Sequence, residues 1–534
     1  MSETVRVRVD AAGALRNGRF AFTNRYTLVT ELLQNARRAG ASTVRVEHDP
    51  AGKRLVVADD GCGVQDFQRL LTINESGWSE DTVEAERPFG IGFSKCLYAA
   101  SRVSVKSRGR QLSFECDQAL RMSELIVEPC ADAPAVGTVV DLDGVDLPRL
   151  SEYIDRLTRG FPVPVSYNGQ SQKRAHAIGH RGFTATQAGL LSLSGLTDGS
   201  LPSGTYLYLD GHPVGELGVE FLGRECDVDV LHLDSRKFAA RLPDRTSLID
   251  AEEKRLLIEA ARDALWRQVL LERKRALPAD EFVERYFQVA ERYSLKDVFD
   301  DLELVPRQVC WSVGAYPTAT GGQEEYFVPV PAHVRKADID AGRTRIAEID
   351  ALEDPGFPTL MYARAANLLL VDSWRLGAGH WLRQGIRRLG TEQVEVVATG
   401  AVHREVILDG VYVYQKVLMC EGIEIRHGAD AVRITSEAVF DGKRAWLPDG
   451  CCNGELVKQL APYTDGNDVF DETGCGLDAQ TLVRAITVSR CADAAGVLAF
   501  LLHSMKLQDY ELLAGATLRV VIAPTGNVTV EQVA

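Results

Sequence analysis

Glu31 and Asn35 stand four residues apart in the run Glu31-Leu-Leu-Gln-Asn35-Ala. On a helix this spacing puts both side chains on one face, about one turn apart. A carboxylate so placed can activate a water, and the amide oxygen can ligate Mg2+. Mg2+ takes oxygen ligands and keeps several waters, so one protein ligand plus phosphates is enough. Asp59 opens a second run, Asp59-Asp-Gly61-Cys-Gly63. A carboxylate there can accept a hydrogen bond from an exocyclic amino group, which selects adenine over guanine. Gly61 and Gly63 let the backbone come close to a base. In a third run, Phe89-Gly90-Ile91-Gly92-Phe93, the glycines precede a helix predicted to start near Ser94. Backbone N–H groups at a helix start attract anions, and missing Cβ atoms admit phosphates. Lys95 either adds charge there or faces solvent. Gly137-Thr138 enters a strand from which Thr138 can hydrogen-bond Asp59. Each run alone is weak evidence. In this order, within the first 140 residues, they fit the holding and hydrolysis of a magnesium-bound nucleotide.

The elements that would position these residues are legible. Leu28, Leu32, Leu33 and Ala36 give residues 27–40 one apolar helical face, and Gly40 stops the helix. Val44 to Val46 and Leu55 to Ala58 read as strands around the turn Asp49-Pro-Ala-Gly-Lys53. Residues 64–72 read as helical, and Ile73 to Pro88 as a polar loop containing Trp78. Ser94 to Ala100 reads as a helix, Val103 to Val105 and Thr138 to Leu142 as strands. The expectation is helices on one face of a mostly antiparallel sheet. A second part begins near Leu150 with a helix to Leu157, strands near 204–214 and 228–233, and a long helix from Asp250 to Ala276. Beyond residue 286, strand patterns at Val394 to Val397 and Val411 to Tyr414 mix with a helix pattern at Val497 to Met505.

With all four runs in order, the region from about 20 to 145 resembles the GHKL superfamily, whose members share the Bergerat ATP-binding fold. They include the ninety-kilodalton heat-shock chaperones, MutL and MORC proteins. The resemblance implies ATP and Mg2+ as cofactors, with Glu31 as general base and Asn35 as the metal ligand. It makes Asp59 the adenine reader, Gly63 part of the base pocket, and Gly90 and Gly92 the phosphate contacts, with Gly61, Ile91 and Phe93 also among the nucleotide-binding residues. Thr138 then supports Asp59, and Ile73 to Pro88 becomes a lid. Two positions depart from the family pattern. Arg38 stands where many members carry an acid, and Arg87-Pro88 where many carry a glycine, which stiffens the lid hinge.

The stretch Gly204 to Val214 looks like a transducer-domain strand and turn. Val228 to Lys237 is similar to a MutL stretch that carries a phosphate-sensing lysine, although Lys237 lies two residues late. Lys237 is the first candidate for the γ-phosphate, with Arg241 and Arg245 as rivals. The expected class is α+β: an ATPase domain over 1–149, a transducer-like domain over 150–285 and a mixed α/β region over 286–534. The expected activity is a slow ATPase acting as a chaperone-like conformational switch, with nucleotide-dependent lid closure and dimerisation, a homodimer with a protein client. The alternatives are a MutL- or MORC-like DNA clamp, a bacterial stress or immunity sensor, and a GHKL-type protein kinase.

Bulk composition narrows the field. Hydrophobic residues make up 45% and charged residues 25%, ordinary for a globular protein. A net charge of −15 disfavours a DNA partner. No long apolar run and no signal-peptide core appear, so a cytoplasmic, membrane-free protein is expected. The 11 cysteines lack CxxC spacing, which argues against zinc and redox sites. GxxxxGK[ST], HExxH and GxSxG are absent, which disfavours other common hydrolase chemistries.

Overall fold

The computed structural model describes residue 6 and residues 10–533, except 19, 21–23, 74–77, 79–91, 219–226, 242–244, 312–315, 318–322, 325–329, 350–355, 391–392, 452–453, 465–468, 504 and 506. The class is mixed α+β. Two compact units are present, one of residues 1–276 and 288–295, the other of 277–287 and 296–534. Of the lid stretch 73–88, only Ile73 and Trp78 are described, and Gly90 and Ile91 also lie outside the described residues.

The first unit opens with α1 (Ala11–Gly18) and α2 (Thr27–Arg38). The α2 helix ends in a Schellman turn. Gly40 takes φ +70°, its N–H reaches Arg37 O, and Ala41 N–H reaches Ala36 O. The hairpin β1 (Val44–Asp49) and β2 (Arg54–Asp59) follows, then the short α3 (Gln68–Leu71) and α4 (Ser94–Ala99). Next come β3 (Arg102–Ser107), β4 (Arg110–Glu115), α5 (Cys116–Leu120), β5 (Val127–Pro129) and β6 (Thr138–Asp143). The helix α6 (Leu150–Thr158) leads to β7 (Val165–Tyr167) and β8 (Gln170–Ser171).

These strands form one eight-stranded sheet in the order β5-β4-β3-β6-β2-β1-β7-β8. Every pairing is antiparallel except β1 with β7. The sheet therefore continues to residue 171, past position 149. Val44, Val46, Leu55, Val57, Val103, Val105, Leu112, Phe114, Val140 and Leu142 are buried on one face, together with Leu28, Leu32 and Leu33 of α2 and Leu97 of α4. Period-two burial on the strands and period-3.6 burial on the helices meet in this single core.

Two local expectations change. Residues 64–72 are helical only over Gln68–Leu71. The backbone N–H of Val64 is tied instead to Ser107 Oγ on β3 at 2.9 Å. In the second unit, the pattern Val411 to Tyr414 is a loop, and the strand begins at Tyr414. Asp478, buried on the helix Glu472–Arg490, accepts hydrogen bonds from the backbone N–H of Val411 and of Tyr412. Those donors are thereby removed from a sheet ladder.

A second sheet of the first unit is built from β9 (Thr184–Thr186), β10 (Gly189–Ser192), β11 (Thr205–Leu209), β12 (His212–Leu217) and β13 (Asp229–Leu233). The order is β12-β11-β13-β10-β9. Two long helices follow, α7 (Ala251–Ala276) and α8 (Ala279–Arg292). Between β11 and β12 the turn residues Asp210 (φ 52°) and Gly211 (φ 78°) are both left-handed. That is the type I′ geometry an Asp-Gly pair adopts without strain.

Asp229 is fully buried on β13. Its Oδ1 accepts from the Ser194 amide at 2.8 Å and hydroxyl at 3.3 Å, while Oδ2 has no hydrogen-bond partner among the described residues. Burial pushes its pKa from 3.8 up to about 6. A carboxyl raised on folding favours the fold when protonated. That contribution is complete below the unfolded value and is lost as pH rises through the folded value. Asp229→Asn is therefore expected to be more stable than wild type at pH 8 by on the order of 2 kcal/mol, with no such gain at pH 4. Urea unfolding at the two pH values checks this, and an equal effect at both would refute it.

The second unit carries a three-stranded sheet, Val394–Thr399, Gly422–His427 and Asp430–Ile434. A four-stranded sheet includes Arg404–Asp409, Tyr414–Cys420 and Ala445–Pro448. The helix pattern predicted at Val497 to Met505 is observed as Ala494–His503. Among the described residues no helix is long and apolar enough to cross a membrane.

Candidate active site

The four sequence runs meet in space, and at three of the junctions a glycine is squeezed. A Cβ added to Gly92 would lie 2.4 Å from Glu31 Oε2, so the third run touches the first. A Cβ on Gly61 would lie 2.7 Å from Ala39 Cβ and 2.8 Å from Ala39 O, and Cys62 N–H donates to that carbonyl at 2.9 Å. The second run therefore packs on the C-terminal end of α2. Gly137 takes φ +92°, and a Cβ there would lie 2.1 Å from Asp59 O, so the fourth run touches the second. Asp59 and Thr138 face each other across β2 and β6. Ser107 Oγ donates to Gly137 O at 2.6 Å and closes the group.

The adjacent carboxylates Asp59 and Asp60 have different surroundings. Asp60 is exposed and accepts from the backbone N–H of Ser42 at 2.7 Å and of Thr43 at 2.9 Å, and from the Ser42 hydroxyl. These bonds, the Ser42 hydroxyl foremost, hold its carboxyl down to about 2. Asp60 thus fastens the α2–β1 connection. Asp59 is partly buried and accepts from Gly61 N–H at 2.9 Å. Burial raises its pKa, with the Asp60 charge adding to the effect. Its remaining acceptor capacity suits a ligand amino group.

Glu31 is 5% exposed although it lies on a helix. Lys95 Nζ donates to its Oε1 at 3.3 Å, and Arg245 Nε stands 3.7 Å from the same oxygen. Lys95 is itself 3% exposed. Burial alone would raise the Glu31 carboxyl, but Lys95, Arg245 and Arg38 together outweigh it and hold the pKa below the usual value. Asn35 is half-buried one turn further, and its Oδ1 accepts from Arg38 Nη1 at 3.4 Å. Arg38 thus donates to Asn35 and adds its charge to the field at Glu31.

The β11–β12 turn covers α2 from the other side. Gln34 Nε2 donates to Asp210 O at 3.2 Å. His212, the next residue but one, is 5% exposed, and neither ring nitrogen has a hydrogen-bond partner of ordinary geometry among the described residues. Burial lowers its pKa to about 4, with Glu31 opposing that shift and Arg245 and Lys95 adding to it. His212 is neutral near pH 7 and lies within electrostatic reach of all three.

Sequence reasoning did not anticipate the burial of Lys95 or the approach of His212. The polar turn Asp-Gly-His before a strand was the only signal for the latter. Among the three basic candidates, the structure brings Arg245 to Glu31. Lys237 is exposed, and its Nζ donates to Gln187 O at 2.8 Å, whereas Arg241 is exposed beside the β-bridge of Ala240 and Leu248. Phe93 is buried at the start of α4. A separate open cleft of about 570 Å3 is lined by Glu152, Asp155, Arg156, Arg159 and Tyr206 among others, and includes no motif residue.

No family model matches the chain. Over 158 residues it is 28% identical to the DNA mismatch repair protein MutL of Syntrophotalea carbinolica. The match covers 26% of this chain and 25% of that protein, so the chain spans about a quarter of the length of this curated relative.

Proposed function

We propose that the first unit is a GHKL-type ATPase that binds ATP with Mg2+ and hydrolyses it slowly as part of a conformational switch. The observation that carries this reading is the convergence of the four motif runs through Gly92, Gly61 and Gly137 on Glu31 and Asp59. The local similarity to MutL supports it. Asp59 accepts the adenine amino group, and Gly61 and Gly63 admit the base. Gly90 and Gly92 approach the phosphates, Ile91 and Phe93 complete the nucleotide-binding run, and Thr138 braces Asp59. Asn35 Oδ1 would hold Mg2+ once Arg38 yields it, and the metal would neutralise phosphate charge.

Glu31 takes a proton from the attacking water as its oxygen bonds to the γ-phosphorus. The bond from that phosphorus to the β–γ bridging oxygen breaks, and ADP leaves. Catalysis of this kind rests mainly on positioning and charge. Arg245 is the cation placed to meet the γ-phosphate, and Lys237 remains a candidate if the β13–α7 connection moves. Dimerisation coupled to nucleotide state, lid closure over 73–88 and a protein client complete the proposal. So do a cytoplasmic location and a division into domains at about 1–149, 150–285 and 286–534.

The test is equilibrium binding of ATP with Mg2+ to wild type and Asp59→Asn. The variant replaces one acceptor oxygen by a donor, so a loss of roughly tenfold or more in affinity is expected. Equal binding of ATP and GTP by the wild type would refute the adenine assignment.

A DNA clamp is a second reading, favoured by the similarity to a mismatch-repair protein. A net charge of −15 opposes it. It requires DNA binding that weakens steeply with salt.

A further inference from the structure

Ser107 closes β3 and is fully buried. It stands directly opposite Thr138 of β6, and Thr138 stands directly opposite Asp59 of β2. The three residues form one row across three neighbouring strands. Directly opposed residues of an antiparallel pair share a face of the sheet. Ser107 therefore lies on the same face as the carboxylate that would read adenine, two strands away.

The Ser107 hydroxyl is used twice. It donates to Gly137 O at 2.6 Å, and it accepts from the Val64 backbone N–H at 2.9 Å. The first bond fixes the residue before Thr138, whose backbone, with that of Gly61, hydrogen-bonds the Asp59 carboxylate. The second fixes the residue after Gly63, the wall of the base pocket. Gly63 takes φ +74°, and a Cβ there would stand 2.7 Å from Ser107 Oγ, so this wall packs directly on the hydroxyl. Arg108, next in the chain, donates from Nε to Cys62 O at 3.0 Å, on the other side of Gly63. One short piece of β3 thus ties the loop that holds the Asp59 carboxylate to the loop that walls the pocket.

We propose that Ser107, assisted by Arg108, is a positioning residue that sets base specificity, by fixing the Asp59 carboxylate and the Gly63 wall at the separation that accepts adenine and refuses guanine. The inference rests on the ATPase reading with Asp59 as the adenine reader. Adenine presents an amino group to the carboxylate where guanine presents a carbonyl oxygen, which the carboxylate repels. A rigid pocket enforces that mismatch, because a buried polar group left unpaired is costly. A pocket whose wall can shift lets guanine tilt until its own N–H groups meet Asp59, and discrimination falls. Without the hydroxyl, Val64 N–H and Gly137 O lose their common partner, and the two loops are no longer held in register.

The experiment compares equilibrium binding of ATP and of GTP, each with Mg2+. Wild type should prefer ATP. Ser107→Ala should lower the ratio of the two affinities roughly tenfold, through weaker ATP binding and unchanged or tighter GTP binding. Arg108→Ala should lower it roughly threefold, because one exposed bond to a carbonyl holds the wall less firmly. Partial unfolding weakens both nucleotides equally and leaves the ratio unmoved, so the ratio separates positioning from stability. A wild-type ratio in Ser107→Ala, or in Arg108→Ala should the buried variant not fold, overturns the proposal and leaves the ATPase reading standing. Equal binding of the two nucleotides by the wild type overturns the adenine assignment and this inference with it, and binding of neither overturns the ATPase reading as well.

Discussion

Glu31→Gln is expected to release phosphate from ATP roughly 10²–10⁴ times more slowly than wild type, the usual cost of losing a general base. Glutamine preserves the volume of the side chain, so the packing of α2 is kept. It cannot accept the water proton. A second consequence separates this from a general defect. Glu31 is the counter-charge of buried Lys95, and removing one partner of a buried pair costs about 3–5 kcal/mol. The nucleotide-free variant should therefore melt at a lower temperature than wild type. Adding ATP and Mg2+ should recover most of the loss, because phosphate replaces the missing carboxylate. Single-turnover phosphate release and thermal unfolding with and without nucleotide read the two effects. Hydrolysis at the wild-type rate by Glu31→Gln would remove Glu31 from the chemistry.

Gly137→Ala should strongly destabilise the first unit. Gly137 sits at φ +92°, a region L side chains rarely adopt, and the new Cβ would be 2.1 Å from the backbone oxygen of Asp59. Neither group can give way cheaply, since Gly137 O is held by Ser107 and Asp59 is paired with Thr138 across the central strands. Strained backbone and forced strand separation together should cost about 3 kcal/mol or more. Gly40→Ala is the control. It also has positive φ, at +70°, but its Cβ would meet nothing within 4 Å. It should cost only about 1 kcal/mol. Urea midpoints of the two variants measure the difference. Because β2 carries Asp59, nucleotide affinity should fall with Gly137→Ala and stay near wild type with Gly40→Ala. Equal stability of the two variants would contradict the close approach.

Much of the first unit could be read from short-range pattern. The spacing of Leu28, Leu32, Leu33 and Ala36 located α2, and alternation located β1, β2, β3 and β6. These signals survive because each depends on which face of one element meets the core. Residues 64–72 and 411–414 misled for the same reason. Their apolar pattern was right, but a side chain distant in sequence, Ser107 in one case and Asp478 in the other, captured the backbone donors. Competition for hydrogen bonds across the chain leaves no mark in a local window.

The sequence by itself determined the order of the motif runs and the glycines at which they can touch. A close approach demands a residue without Cβ, and that demand is visible in the residue type. The helical spacing of Glu31 and Asn35 was equally visible. Only the tertiary structure decided the charge state of the site. Lys95 is 64 residues from Glu31, His212 arrives from β12 of the second sheet, and Arg245 from the connection between β13 and α7. Whether a lysine three positions beyond a glycine faces water or a buried carboxylate depends on what else fills the space. Arg245 rather than Lys237 reaches Glu31 because of how the chain turns after β13. Electrostatic pairing in a low-dielectric interior is set by distance in space, and no pattern of neighbours along the chain encodes it.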